Sequence, residues 1–212
     1  MNGSYEEHPF PSFYNEETKY LIVGSFPPIK LTKKIFSNDI SKQLYEEYLK
    51  YNNFNSQKDI DFYYGSSDNY FWFLLRSLFK QNLSNSKEIK AFLESKNIGV
   101  TDLFERCKRK IKNNKIDSSD SNLEILQCRD LDSIFKNCKN LQKIFFTSKW
   151  VYNKFKELYP TVIYEMVILE SPSGSFDRSI GRIDEYKQKK LLNNDYNTFV
   201  YRLEKYMQKL PN

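Results

Sequence analysis

Four short apolar runs recur along the chain with helical stretches between them, and this alternation restricts the fold more than any other feature. KYLIVGSF (19–26), IGVTDLF (98–104), LQKIFFTS (141–148) and TVIYEMVILE (161–170) read as strands, because continuous apolar runs of this length suit strands covered on both faces. Helical patterns run over 41–51, 69–80, 86–97, 131–138, 149–159 and 196–209. The first starts on a Ser cap with Glu close behind it. The second is apolar nearly all round, which predicts a buried helix, with Ser67 or Asp68 as its cap. Strands alternating with helices imply right-handed parallel crossovers and helices on both faces of the sheet. The expectation is a three-layer α/β/α sandwich on a mostly parallel four-stranded sheet, in a single domain over 1–212 with an N-terminal arm to about residue 17.

In such sheets ligands bind beyond the carboxyl ends of the strands. Three loops are expected there: GSFPP after the first strand, TSKW after the third and SPSGS after the fourth, with YYGSSDN close to the first. Ordinary catalytic equipment is missing from them. A serine hydrolase needs a histidine base, but the one histidine is His8, and SPSGS lacks the G-x-S-x-G frame of a nucleophile elbow. That class stays an outsider, and His8 reads as a structural hydrogen-bonding residue of the arm. There is no G-x-G-x-x-G and no P-loop. Potential metal ligands do not cluster, so neither metal nor cofactor is expected. Cys107, Cys128 and Cys138 match no zinc or iron–sulfur spacing and read as buried thiols in a reducing cytosol. No apolar run resembles a signal peptide or a membrane span, so a cytoplasmic, membrane-free protein is expected.

What remains is a rim of small hydroxyls, prolines, backbone amides and rings, an inventory that suits a planar polar ligand. Lys plus Arg exceed Asp plus Glu by 33 to 27, for a net charge of +6, which fits a polyanionic partner without requiring one. The stretch FYYGSSDNYFWFLL (62–75) carries the central ambiguity. Its turn could be a pocket, with a ring for a ligand's face and Asn69 for its edge. Equally, Asn69 could cap a helix whose Phe71 and Trp72 are core.

An ordered set of motifs resembles the uracil-DNA glycosylase superfamily, above all its hypoxanthine (deoxyinosine) branch. HPFPSFYNEETKYLIVGSFPP (8–28), FYYGSSDNYFW (62–72), NIGVTDLFERCKR (97–109) with SSDSNL (118–123), IFFTSKWVYNKF (144–155) and ESPSGSF (170–176) stand in that family's order. The resemblance implies a monofunctional DNA glycosylase acting on deaminated bases in base excision repair. It would be a monomer that flips the base out of the stack and hydrolyses its bond to the sugar. Position by position, it implies Asn69 as the catalytic residue. Gly24, Ser25, Phe26 and Tyr64 would bind the base, Ser25 through its N–H and Tyr64 or Phe26 by stacking. Ser171, Pro172, Ser173, Gly174, Ser175 and Phe176 would grip DNA, Phe176 as a wedge, with Lys149 and Arg178 on phosphates. Two departures stand out: Phe26 replaces the polar residue of the first signature, and Ser171 replaces the histidine of the second. They favour a slow, broad enzyme on deaminated purines, or a member that binds without cutting. The polar stretch 107–122 reads as an exposed loop, solvated or lying on DNA backbone.

Overall fold

Strand β2 (Tyr20–Gly24) lies between two parallel neighbours, and its sequence explains why. Leu21, Ile22 and Val23 are each at most 1 % exposed, as a strand covered on both faces requires. The computed structural model describes residues 5–32, 59–112, 115–116 and 120–211. The helix expected over 41–51 lies outside these. The chain divides into two compact units, one formed by Met1–Phe36 and Ile89–Ile168, the other by Ser37–Glu88 and Leu169–Asn212.

The first unit holds the four-stranded parallel sheet, in the order β3 (Ile98–Asp102), β2, β8 (Lys143–Phe146), β9 (Glu165–Ile168). Tyr20 pairs with Ile98 on one side and with Lys143 on the other, so β2 and β3 end together at Gly24 and Asp102, and β8 ends one residue earlier, with Phe146 opposite Val23. Helices flank the sheet. On one face Leu21, Val23, Ile144 and Phe146 pack with Ile134 of helix Asp132–Asn137 and with Val151 and Phe155 of helix Lys149–Leu158. The α/β class and the parallel four-stranded sheet are therefore as the apolar runs predict. The fourth run forms a shorter strand than expected. No helix among the described residues is long and apolar enough to cross a membrane.

The stretch 107–122 is not the expected exposed loop. It begins inside β4 (Phe104–Arg109), which pairs antiparallel with β1 (Glu6–Glu7) and β7 (Leu123–Cys128). A small hairpin, β5 (Ile111–Lys112) with β6 (Lys115–Ile116), follows. Two register shifts near Arg106 break the alternation that would mark β4 as a strand. Cys107 is buried, and burial pushes its thiol up to about 12, so it is an inert side chain and not a nucleophile.

Arg109 is also buried, and its charge is matched inside the unit. Its Nε donates to both oxygens of Glu6, at 3.0 and 3.2 Å, and its guanidinium also donates to the Pro27 carbonyl. Thr32 donates its hydroxyl to the same Glu6 carboxylate. A buried pair of this kind adds little net stability against an apolar replacement, but breaking it leaves an unmatched charge. Glu6→Ala is therefore expected to cost about 3–5 kcal/mol in urea unfolding. The double replacement E6L with R109M should recover most of that loss.

Candidate active site

At the carboxyl edge of the parallel sheet, β2 runs into Ser25-Phe26-Pro27-Pro28. The carbonyls of Gly24 and Ser25 accept from the N–H groups of Leu103 (2.9 Å) and Phe104 (3.2 Å), which fixes this loop beside the end of β3. Ser25 Oγ donates to Asp120 Oδ1 at 2.6 Å, from a short turn, Asp120–Asn122, that leads into β7. The N–H groups of Ser25 and Phe26 donate to no described residue. Phe26 is buried, with its ring 5.7 Å from His8 edge-on and 5.6 Å from the Arg109 guanidinium carbon. Lys149 is exposed at the start of its helix, one residue past Ser148, whose hydroxyl accepts from Val151 N–H.

His8 is buried against the last residue of β3. Its Nε2 lies 2.9 Å from Asp102 Oδ2, while Nδ1 accepts the N–H of Phe10 at 3.1 Å. An acceptor Nδ1 puts the ring proton on Nε2, so the imidazole donates to the Asp102 carboxylate. Neither nitrogen is left with a lone pair for a serine hydroxyl, which removes the geometry that a serine hydrolase needs. His8 instead fastens the arm to the sheet, as the sequence suggests. Asp120 is held above the usual carboxylate range, first by burial and then by the nearby charge of Asp102; Ser25's hydrogen bond and Arg109 pull the other way.

The second unit collects the other candidates. Tyr63 is buried, and its carbonyl accepts from the Trp72 indole at 2.6 Å. Tyr64 is half-buried, with its ring 4.6 Å from that of Phe71 and a backbone φ of 54°, a left-handed conformation that bulky residues rarely adopt. Gly65 is obligatory next to it, because a Cβ there would stand 2.0 Å from the Ile60 carbonyl oxygen.

Asn69 and Ser173 form an antiparallel bridge, with Tyr70 N–H donating to Pro172 O (2.8 Å) and Gly174 N–H to Asp68 O (3.2 Å). The two stretches singled out in the sequence are thus joined through their backbones. Asn69 Oδ1 accepts the N–H of Phe71, at 2.9 Å, at the start of helix Phe71–Phe79. Tyr70 holds the N-cap position, and the side chain that caps the first turn is that of Asn69 just before it, not that of Ser67 or Asp68. Asp68 is exposed, and Ser67 is buried with its N–H bound to Asp59. No described residue pairs with the Asn69 Nδ2 group. Within 171–176, the Ser173 and Ser175 hydroxyls lie 2.8 Å apart, and Ser171 Oγ accepts from Ser173 N–H at 3.4 Å. Phe176 packs beside Ile180, Tyr196 and Tyr201, and Arg178 is exposed.

What organises this loop is a residue the sequence reading passes over. Arg202, fully buried in helix Thr198–Lys209, donates from Nε to Ser171 O (2.9 Å) and from Nη2 to Ser173 O (3.0 Å). Its Nη1 meets Asp177 Oδ1 at 2.5 Å, and its guanidinium carbon stands 4.6 Å from the centre of the Tyr70 ring. Tyr70 closes the circuit by donating its hydroxyl to Asp177 Oδ2 at 3.1 Å. One signal could have found it: Arg202 falls on the same helical stripe as buried Phe199 and Tyr206.

No model of a known protein family matches the chain, and no curated protein does. A solved structure does: the solution NMR structure of a protein from Methanosarcina acetivorans whose name reads "putative Uracil DNA glycosylase". It superposes with a TM-score of 0.59 at 21% identity, covering 95% of this chain and 99% of that one. The two chains share one fold. At this identity the likeness is one of architecture, an α/β fold on a parallel four-stranded sheet.

Arg202 carries the prediction for this site. Arg202→Lys keeps the charge but loses the planar fork that reaches two carbonyls and a carboxylate. It is expected to destabilise by about 2 kcal/mol or more. Amide exchange should quicken first at Tyr70 and Gly174, whose bonds hold the bridge.

Proposed function

We propose that the chain is a monofunctional DNA glycosylase. It acts as a monomer, hydrolysing the bond between a deaminated base and its sugar without metal or cofactor. The observation that carries this reading is the shared fold, over nearly the whole of both chains, with a protein named for that activity. The order of the sequence motifs supports it.

The chemistry asks for donors at the base. As the bond to the sugar breaks, the base leaves with negative charge, and fixed hydrogen-bond donors lower that barrier. Asn69 is suited to supply them. Its oxygen is occupied by Phe71 N–H, so what the amide has left to offer is the Nδ2 donor pair. Deamination replaces an amino donor on the base by a carbonyl acceptor, at C6 of adenine or C4 of cytosine. A site that presents donors therefore selects hypoxanthine or uracil over the parent base. Capping the helix and reading the base are one arrangement in this proposal, since the cap fixes the amide.

The remaining roles follow the same inventory. Each unit brings its own candidates: Tyr64, in the second, for stacking on a base, and Gly24 with the N–H groups of Ser25 and Phe26, in the first, for donating to a base edge. Ser171, Ser173, Ser175 and Arg178 meet DNA phosphates across the turn built by Pro172 and Gly174, and Lys149 of the first unit is a phosphate contact in its own right. Phe176 fills the gap in the stack. One observation favours a second reading, a member that binds without cutting: Phe26 is buried and offers no polar side chain to a water.

Asn69→Asp separates capping from catalysis. Asp caps a helix as well as Asn does but carries no donors. Thermal stability should stay within about 0.5 kcal/mol of wild type. Cleavage of duplexes carrying hypoxanthine, uracil, xanthine or thymine mispairs, read as alkali-labile abasic sites, should fall about 10²–10³-fold. Salt-sensitive DNA binding with no cleavage of any lesion by the wild-type protein would favour the binding-only reading.

A further inference from the structure

We propose that Asp120 is the carboxylate that takes the proton from the attacking water, held in place by Ser25; this rests on the glycosylase reading. The juxtaposition is one of place. Ser25 is the first residue past the central strand, at the edge where ligands of parallel sheets bind, and it ties Asp120 there through a 2.6 Å hydrogen bond.

The buried carboxylates described in the first unit are committed. Asp102 accepts from His8, and Glu6 is shared by Arg109 and Thr32. Asp120 differs. One oxygen takes the Ser25 hydroxyl, and the other accepts nothing from any described residue. No lysine or arginine among the described residues lies in ion-pair contact with it. Phe26, next along the loop, presents only a buried ring. A half-buried carboxylate with one oxygen anchored and one open is equipped to orient a water and accept its proton.

The step balances as follows. The water oxygen bonds to the anomeric carbon while the carbon–nitrogen bond breaks, and that electron pair leaves with the base. The water proton passes to the open oxygen of Asp120. The groups that face Asp120 are Ser25 on the β2 loop, Asp102 at the end of β3 and Arg109 on β4. Burial and Asp102 hold its proton on to higher pH than usual; Ser25 and Arg109 oppose them. The base form is therefore lost as pH falls through this raised value, which gives cleavage an acid limb above the ordinary carboxylate range.

The test is single-turnover cleavage of the lesion duplexes from about pH 4 to about pH 9, with binding of a 2′-fluorinated, uncleavable duplex measured alongside. Wild type should show the acid limb. Asp120→Asn should cut about 10²-fold more slowly or worse, lose the limb and bind the uncleavable duplex within about twofold. Ser25→Ala removes a hydrogen bond that favours the charged form, so its limb should move to higher pH. A D120N rate within about threefold of wild type, with the limb unchanged, would overturn the assignment. So would an unmoved limb in S25A, which keeps the test open should D120N fold poorly. A wild type that cleaves no lesion sinks the glycosylase reading, and this role with it. A wild type that cleaves while D120N matches it sinks Asp120 alone.

Discussion

The parallel pairing of β2 on both sides decides where the chemistry of the first unit can be. Leu21 to Val23 are sealed between β3 and β8, so nothing polar can be used along their length. At the carboxyl edge the constraint lifts. The strands end within a residue of one another, at Gly24, Asp102 and Phe146, and the loops that follow bring Ser25, Thr147 and Ser148 to the same edge. Polar groups gathered at such an edge are costly unless paired, and most are. His8 answers Asp102, Ser12 answers Thr101, and Glu6 answers Arg109. Asp120 is only half answered: Ser25 holds one of its oxygens, and no described residue meets the other.

In the second unit the organising element is a buried cation. Arg202 gives up its hydration shell for two carbonyls, one carboxylate and the face of Tyr70. An arginine does this better than a lysine because its donors are coplanar and its hydration is weaker. The backbone of Ser171 to Ser173 is thereby set, and Asn69 is set with it through the bridge. The result is a polar loop without polar disorder.

Much of the architecture was legible because short unbroken apolar runs say "covered strand" whatever surrounds them. The β2, β3 and β8 assignments rest on that alone. Strand β4 was not legible, since its register shifts spoil alternation and its buried Arg109 looks like a surface residue until Glu6 is known to face it. That partner stands 103 residues away, and no local pattern reports it. Asn69 was legible as one residue with two possible jobs. Its cap bond is visible only in three dimensions, as is the fact that this bond leaves the donor side of the amide for other work. Arg202 and Asp120 escaped for a shared reason: charged residues are read as solvent-facing by default, yet Arg202 is buried and Asp120 half-buried against partners distant in sequence.

Both units are discontinuous in the chain, and this bears on how the protein can be made. The first takes residues from before Phe36 and from Ile89 onward; the second takes the intervening segment and the tail from Leu169. The closures of the first unit are long ones: His8 must find Asp102 and Glu6 must find Arg109. Such non-local pairing slows folding, because chain entropy is lost before any contact repays it. On the ribosome, the arm therefore waits for β3 and β4 to emerge. The second unit waits for its last helix, whose Arg202 is made more than a hundred residues after Asn69. Neither unit corresponds to a continuous fragment that could be cut from the gene and expected to fold.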